Sequence, residues 1–341
     1  MTVLVTTRRS ARRRTTVYFG LAALLVLLTT VAVSIGEYPL PFSDVLRSLL
    51  GLPSPADLVV QQLRLPRVLT GLLAGAAFGL AGALFQATVR NPLASPDLIG
   101  VTAGASVGAV AAITVAGSSA VLAPIFALIG GAIAAAAVYL LSYRHGVQLH
   151  RLVVVGIALG GTGFAAGALS SATSLLMIKA EVTNAQQATI WLTGSLHGRT
   201  YDHALAPLVA LVVALPCLPL AGNVLRSFSL GDDLAAGLGV RLGHARLGLL
   251  SLGVLLAASA TAAVGPVGFV ALGAPQIARR MVRTSVEPLL GSALVGALVV
   301  TFADLVARRL FAPTELPAGV FTAVIGGPYL LWLLTRNPVR R

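Results

Sequence analysis

Residues 66–88 read PRVLTGLLAGAAFGLAGALFQAT. After Arg67 this stretch holds no charged residue, and its length fits the ~20 apolar residues that a helix needs to cross a bilayer. Gly71, Gly75 and Gly79 recur every four residues, so they share one face of such a helix. Small residues at this spacing let helix backbones approach closely in lipid. The stretch predicts a membrane-spanning helix that packs through its glycines, with glycines that line a wide pathway as the alternative.

The composition extends this prediction to the whole chain. Of 341 residues, 57% are hydrophobic and only 10% are charged, with a mean hydropathy of +0.91. A soluble domain is typically about 45–50% apolar and about 25% charged. The single cysteine, Cys217, excludes an internal disulfide, and the five histidines lack metal-ligand spacing. The sequence therefore predicts an all-α integral membrane protein with no metal site.

Ten apolar runs, separated by glycine, proline or charge, are candidates for membrane spans. They cover residues 17–36, 66–88, 96–116, 121–141, 152–172, 203–221, 243–264, 267–282, 288–310 and 318–335. We therefore expect a ten-helix transmembrane domain over 17–335. A basic arm, 1–16, precedes it and a short tail, 336–341, follows it.

The net charge of +13 comes from arginines that cluster between the apolar runs and at both chain ends. Nucleic-acid binding is one interpretation of a basic chain, but this distribution fits membrane topology better. Positive charge favours the cytoplasmic side, so we expect both termini there and no nucleic-acid partner. The first run, 17–35, is longer than the 7–15 apolar residues of a signal peptide, which predicts a retained span.

The chain carries no visible source of energy for transport. It lacks the phosphate-binding pattern G-x-x-x-x-G-K-[ST], and it also lacks H-E-x-x-H and G-x-S-x-G. Asp304 lies inside the ninth run with Arg308 four residues on, so the two can pair on one helix face. A proton-relay role for Asp304 is the alternative. Uphill transport would therefore draw its energy from a partner.

The longest predicted cytoplasmic loop between spans, 222–242, contains LGDDLAAGLGV at residues 230–240. Ser229 could cap a short helix there, with Asp232 and Asp233 in its first turn and Gly239 at its end. Three leucines recur every four residues and form one apolar stripe: Leu230, Leu234 and Leu238. Spacing alone leaves two interpretations open, which are packing on the protein's own inner surface and docking of a partner.

Six stretches together resemble the FecCD family of ABC-importer membrane subunits, which includes the vitamin B12 importer permease. They are QLRLPR (62–67), QATVRNPLA (86–94), LGDDLAAGLGV (230–240), GPVGF (265–269), ADLVAR (303–308) and ELPAGV (315–320). Each motif is short, but they follow one another in order over residues 60–335.

The resemblance implies a type II ABC importer permease of ten transmembrane helices in the bacterial cytoplasmic membrane. Such a subunit is not an enzyme and holds no cofactor. Two separate cytoplasmic ATPase subunits bind ATP-Mg, and an extracytoplasmic binding protein delivers the substrate. A ferric siderophore is the expected substrate, with haem, cobalamin or another metal chelate as alternatives. A proton-coupled secondary transporter is the alternative from a different class.

The resemblance also implies three groups of functional residues. Those that couple to the ATPase are Leu230, Gly231, Asp232, Asp233, Leu234 and Leu238. Those that face acidic residues of the binding protein are Arg64, Arg67 and Arg308, and those of the inner gate are Leu149 and His150. The chain departs from the family where Pro275-Gln276-Ile277 replaces Pro-His-Ile. It departs again at residues 283–288, RTSVEP, where the family often has an Asp-His-Arg-like segment. The two departures favour a heterodimer with a second permease subunit over a homodimer.

Overall fold

The computed structural model describes residues 2–36, 38–116, 122–142, 174, 188–189, 191–284, 287–310 and 315–336. Within these ranges the chain is helical and contains no β-strand. The helices are α1 Thr2–Ser34, α2 Phe42–Leu49, α3 Leu65–Val89, α4 Val101–Ala116, α5 Leu122–Ser142, α6 Tyr201–Ser229, α7 Asp232–Gly237, α8 Leu242–Val264, α9 Val270–Val282, α10 Leu289–Leu310 and α11 Ala318–Arg336. A π-helical segment, Leu58–Arg64, leads into α3, and a 3₁₀ turn, Pro96–Ile99, precedes α4.

Six of the described helices are long and apolar enough to cross a membrane: α1, α3 with its π-helical lead, α5, α6, α8 and α10. Shorter apolar stretches lie in α4 and α11. Nine of the ten predicted spans fall on described helices. The fifth, 152–172, lies outside the described residues, so the count of ten stays a prediction. The all-helical membrane architecture is confirmed.

Several described helices begin or end away from the bounds of the predicted spans. α1 begins at Thr2, so the basic arm is a helical extension of the first span. The third span starts as a 3₁₀ turn, and its α-helix begins only after Gly100, whose φ of 75° breaks the helical geometry. α9 begins at Val270 because Gly265 and Phe269, with φ of 78° and 72°, keep the preceding chain out of a helix.

Another difference concerns α6, which continues to Ser229 instead of ending at residue 221. Three prolines lie inside it without ending it: Pro207, Pro216 and Pro219. Membrane helices tolerate proline because neighbouring groups satisfy the freed backbone carbonyls. Most of the predicted 222–242 loop is therefore helix, formed by the end of α6 and by α7.

Helix α3 lies at the centre of the bundle and packs against α6, α8, α9 and α10. Its glycines allow this. A Cβ atom at Gly75 would overlap the carbonyl oxygen of Gly296, and one at Gly79 would overlap that of Ser292. Gly71 differs, because a Cβ there would meet mainly the Leu196 side chain. The predicted glycine packing is confirmed for Gly75 and Gly79, which bring α10 into backbone contact with α3.

Polar side chains collect at the two ends of the bundle. At one end, α3 and α6 finish, α8 begins and α7 lies between them; we call this the α7 end. At the other end, the start of α3 meets Asp304 near the end of α10; we call this the Asp304 end. Helices α3 and α10 therefore run in opposite directions and connect both polar regions.

Gly79→Ala tests the α3–α10 contact, and Gly71→Ala is the matched control on the same helix face. The Gly79 substitution should lower the free energy of unfolding by about 1–3 kcal/mol, because the methyl group meets backbone that cannot rotate away. The control should change it by less than about 0.5 kcal/mol, since a flexible leucine can yield. Thermal unfolding of both variants in detergent measures the difference, and equal losses would contradict the packing.

Candidate functional site

Helix α7 has about one and a half turns, and a glycine with positive φ ends the helical geometry on each side of it. Gly231, with φ of 108°, occupies the position before the first helical residue. At the other end Gly239 has φ of 83°, its N–H donates to the Ala236 carbonyl at 2.9 Å, and the Val240 N–H donates to the Ala235 carbonyl at 3.1 Å. This pair of bonds is a Schellman motif. The predicted helix end at Gly239 is confirmed.

The predicted cap by Ser229 is wrong. Ser229 is still the last residue of α6, and its hydroxyl donates to the Arg226 carbonyl at 2.6 Å. Asp232 and Asp233 occupy the first turn of α7 as predicted. Their negative charges suit the positive end of the short helix dipole.

The leucine stripe faces away from the protein. Leu230, Leu234 and Leu238 are 57%, 62% and 65% exposed, whereas Ala235, next to Leu234 in α7, is fully buried. Of the two interpretations that spacing left open, packing of the stripe on the protein's own surface is wrong. Leu234 of α7 and the leucines that flank this helix thus expose three large apolar side chains at a polar end, which suits contact with another protein.

Asp232 anchors α7 to two other helices. Its Oδ1 accepts a hydrogen bond from Arg90, just after α3, at 2.6 Å, and its Oδ2 accepts one from Arg246 of α8 at 2.7 Å. The Arg246 guanidinium also lies over the Phe228 ring of α6, 5.6 Å from its centroid. Asp232 therefore joins α7 to α3 and α8, and Arg246 adds a contact with α6.

The Arg246 hydrogen bond lowers the pKa of Asp232 below its ordinary value, against the effect of partial burial, and the charge of Arg90 adds to the decrease. A lowered pKa in the folded state means that the ionised form contributes stability at neutral pH. This contribution is lost only as the pH falls through the folded-state pKa, below about 3.9. The anchor is therefore intact throughout the physiological range.

At the Asp304 end the three predicted docking arginines are buried. Arg64 donates to the carbonyls of Val33, Ser34 and Tyr38 at 3.0, 2.9 and 2.5 Å. Arg308 donates to the Ala32 carbonyl. Two of the arginines thus satisfy the free carbonyl groups at the end of α1, which need partners in an apolar surrounding.

Arg67 is the third of these arginines, and it joins two carboxylates. Its guanidinium lies 2.7 Å from Asp304 and 3.0 Å from Glu315, while His197 Nδ1 lies 2.8 Å from Glu315. Burial raises the pKa of Glu315, but the charge of Arg67 and the hydrogen bond from His197 outweigh it, so the pKa lies below its ordinary value. The predicted partner of Asp304, Arg308, is more distant, at 4.0 Å.

Because of these contacts, none of the three guanidinium groups is free at the surface of the described chain. Arg64 and Arg308 are 5% and 7% exposed, and the Arg67 side chain is 11% exposed. Their contact with a binding protein therefore stays a prediction, and the structure instead gives each of them a partner within the chain. The predicted gate residues, Leu149 and His150, lie outside the described residues.

The departure at Gln276 has a structural role. Its side-chain amide donates to Gln86 Oε1 of α3 at 2.5 Å, and Gln86 in turn donates to the Leu272 carbonyl of α9 at 2.9 Å. The pair joins α3 to α9 at the α7 end. Sequence reasoning missed this pair, as it missed Arg90 and Arg246 as anchors, because the partners are far apart in the chain.

Comparison with known proteins matches residues 24–336 to the FecCD transport family. The chain is 41% identical to the probable siderophore transport system permease protein YfhA of Bacillus subtilis (strain 168), over 93% of this chain and 94% of that protein. It is 38% identical to the ferric enterobactin transport system permease protein FepG of Escherichia coli (strain K12), over 89% and 90%.

A solved structure assigned to the metal-chelate type of ABC transporter, in an inward-facing conformation, has the same fold. Its TM-score is 0.80 at 30% identity, and the alignment covers 94% of this chain and 99% of that chain. The likeness extends over the helical bundle as a whole and supports the membrane architecture described above.

Asp232→Asn tests the anchor, and Asp233→Asn on the exposed side of the same turn is the control. Loss of the charge that Arg90 and Arg246 share should weaken the attachment of α7 by about 1 kcal/mol, or roughly fivefold in its opening equilibrium. Trypsin cleavage after the exposed Arg241 reports that opening. Cleavage at the same rate in both variants would mean that Asp232 does not hold the helix.

Proposed function

The chain belongs to the FecCD transport family, and on that premise we propose that it is the membrane-spanning permease subunit of an ABC importer for a ferric siderophore. It is a transport subunit, and ATP hydrolysis belongs to a separate protein. The exposed leucine face of α7 carries the proposal, because it offers a firmly anchored apolar surface for a partner at one end of the bundle. The relatives YfhA and FepG are permeases for a siderophore and for ferric enterobactin, which supports the choice of substrate.

We assign two ATPase subunits, which bind ATP-Mg, to the α7 end. Leu230, Leu234 and Leu238 would fit an apolar groove of the ATPase, while Gly231 and Asp233 lie on the same accessible turn. Rigid attachment matters here, because a force applied to a loose helix would be lost in local motion. The Asp232 anchor would pass movement of α7 to α3 and α8 at once.

The α7 end is assigned to the cytoplasm. It carries the arginine-rich ends of several helices, as the positive-inside rule favours. Nε and Nη2 of Arg13 in α1 donate to the Met281 carbonyl, near the end of α9, at 3.2 and 3.1 Å. This contact brings the N-terminal end of α1 to the same side of the bundle. Helix α11 starts at the Asp304 end, where the Gly319 N–H donates to the Gly194 carbonyl at 2.8 Å, and runs back. Both termini would then be cytoplasmic, in a bacterial cell membrane.

The Asp304 end would face the extracytoplasmic binding protein. Arg64, Arg67 and Arg308 would contribute by fixing the shape of this face through their internal bonds, unless docking frees one of them. A second permease subunit completes the pathway, and we favour a heterodimer over a homodimer. The gate at Leu149 and His150 belongs to the same proposal.

Haem, cobalamin or another metal chelate is the alternative substrate. A proton-coupled transporter would need a titratable group on the pathway, but Asp304 is held in an ion pair by Arg67 at 2.7 Å. This partner within the chain favours a structural role for the buried Asp304. We therefore prefer ATP as the source of energy.

Uptake by proteoliposomes tests the proposed function. Proteoliposomes that contain the permease with its partner subunits and binding protein should accumulate a radiolabelled ferric siderophore. Accumulation should require ATP on the side of the membrane that carries the ATPase subunits. An ATPase variant that cannot hydrolyse ATP should abolish accumulation. Uptake that needs only a proton gradient would contradict the proposal. Uptake of haem or cobalamin without uptake of the ferric siderophore would change the assigned substrate.

Leu234→Ser together with Leu238→Ser tests the docking face. Leu50→Ser is the control, since Leu50 is 67% exposed, like Leu238 at 65%, but lies between the ends of α2 and the π-helical segment. The double variant should insert normally and lose at least tenfold in affinity for the ATPase, because two buried leucines at an interface are worth more than about 1.4 kcal/mol. Equal affinity of the double variant and the control would exclude α7 as the contact.

A further inference from the structure

The short helix α2, at the Asp304 end, carries an apolar face that is largely exposed. The residues of this face are spaced three or four apart, so they lie on one side of the helix. They are Phe42, Leu46, Leu49 and, directly after the last turn, Leu50, which are 60%, 46%, 38% and 67% exposed. Large apolar side chains that cluster on one exposed face indicate a surface that contacts something other than water. Nothing in the proposed function uses this face.

The two other sides of α2 have different surroundings. Val45 and Ser48, three residues apart, are each 1% exposed and face the bundle. Val45 belongs to an apolar cluster that includes the end of α1 and the start of α3. Ser43 and Arg47, four residues apart, are both polar and exposed. Around its axis α2 therefore presents one side to the protein, one apolar side and one polar side.

The depth of α2 in the membrane follows from the helix beside it. Helix α3 has 25 residues and is about 37 Å long at a rise of ~1.5 Å per residue. It is therefore long enough by itself to cross the hydrocarbon core of about 30 Å, and its π-helical lead, Leu58–Arg64, extends to the level of the lipid headgroups. Gln61 of this lead donates from Nε2 to the Ser48 carbonyl at 2.6 Å, which holds α2 at the same level.

Two tyrosines and an arginine at this level also suit a membrane surface. Tyr38, just before α2, is 65% exposed, and Tyr201, at the start of α6, is 46% exposed. The Tyr201 hydroxyl donates to the Gln61 carbonyl at 2.8 Å, so its ring lies beside the π-helical lead. Tyrosine is enriched where a bilayer meets water. Arg47 on the polar side of α2 complements the negative phosphates of lipid headgroups.

We propose that α2 is an interfacial helix that lies flat in the headgroup region of one leaflet. Phe42, Leu46, Leu49 and Leu50 then contact the acyl chains, while Arg47 points towards the phosphates. Each of the three sides thereby meets a matching surrounding, which is the bundle, the lipid or the water. Because Val45 packs on the ends of α1 and α3, the lipid contact of α2 fixes the depth of the Asp304 end in the membrane. This inference rests on the membrane architecture alone and not on ATPase docking at α7.

Fluorescence quenching tests the lipid contact in the permease, reconstituted with its partner subunits in liposomes of phosphatidylethanolamine and phosphatidylglycerol. On a Cys217→Ser background, Leu46→Cys on the apolar side and Ser43→Cys on the polar side each carry a bimane label. Val26→Cys on α1, where Val26 is 67% exposed, is the reference for lipid contact. Nitroxide lipids should place the label at position 46 about 5–10 Å below the headgroups. Aqueous iodide should quench the label at position 43 several-fold more than the label at position 46.

The same labels separate lipid from the other possible occupants of the apolar side. Lipid quenching at position 46 that the binding protein does not change supports the proposal. Equal iodide quenching at positions 43 and 46 would place the apolar side in water and overturn it. Shielding of position 46 from both quenchers, with or without the binding protein, would mean that a protein covers this side, which would also overturn it. None of these results bears on the ATPase contact, because α7 lies at the opposite end of the bundle.

Discussion

The backbone contact between α3 and α10 is the constraint on which the rest of the bundle depends. It exists because Gly75 and Gly79 leave no side chain between α3 and the carbonyl groups of Gly296 and Ser292. In lipid, an apolar side chain gains little free energy when it leaves the acyl chains and contacts another apolar side chain. Close backbone packing must therefore supply the specificity of helix association. Once these two antiparallel helices are fixed, both polar ends of the protein are fixed with them.

Each end uses charge in a different way. At the Asp304 end the carboxylate of α10 is almost completely buried, and Arg67 and Glu315 complete an internal network. Such a network holds helices in register but offers little to a partner. At the α7 end Asp232 and Arg90 are partly exposed and Arg246 is buried, and together they hold a short helix with exposed leucines. The internal network suits a rigid frame, and the exposed anchor suits a helix that transmits force.

Local patterns predicted much of this arrangement. The apolar runs correctly located nine helices. Unpaired backbone groups are costly in lipid, so a long apolar run must form a helix whatever its tertiary contacts are. The glycine spacing identified the packing face of α3, and Gly239 marked the end of α7. The prediction of a Ser229 cap was wrong because α6 extends into the predicted loop, where the Ser229 hydroxyl bonds to the Arg226 carbonyl of the same helix.

The pairs that hold the ends together could not be predicted from local patterns. Arg67 and Asp304 are 237 residues apart, and Arg90 and Asp232 are 142 apart. Spacing suggested Arg308 as the partner of Asp304, since it lies four residues on, but Arg67 is closer because the start of α3 faces the end of α10. Spacing also left the direction of the leucine stripe undecided, since only the packing of Ala235 determines it.

Hydrogen exchange of the permease with and without its ATPase shows whether α7 is the surface through which the partner acts. We expect slower exchange of the amides at 232–240 when the ATPase is bound, with no change at the Asp304 end around residues 304–308. Unchanged exchange at 232–240, or protection confined to the Asp304 end, would contradict this role of α7.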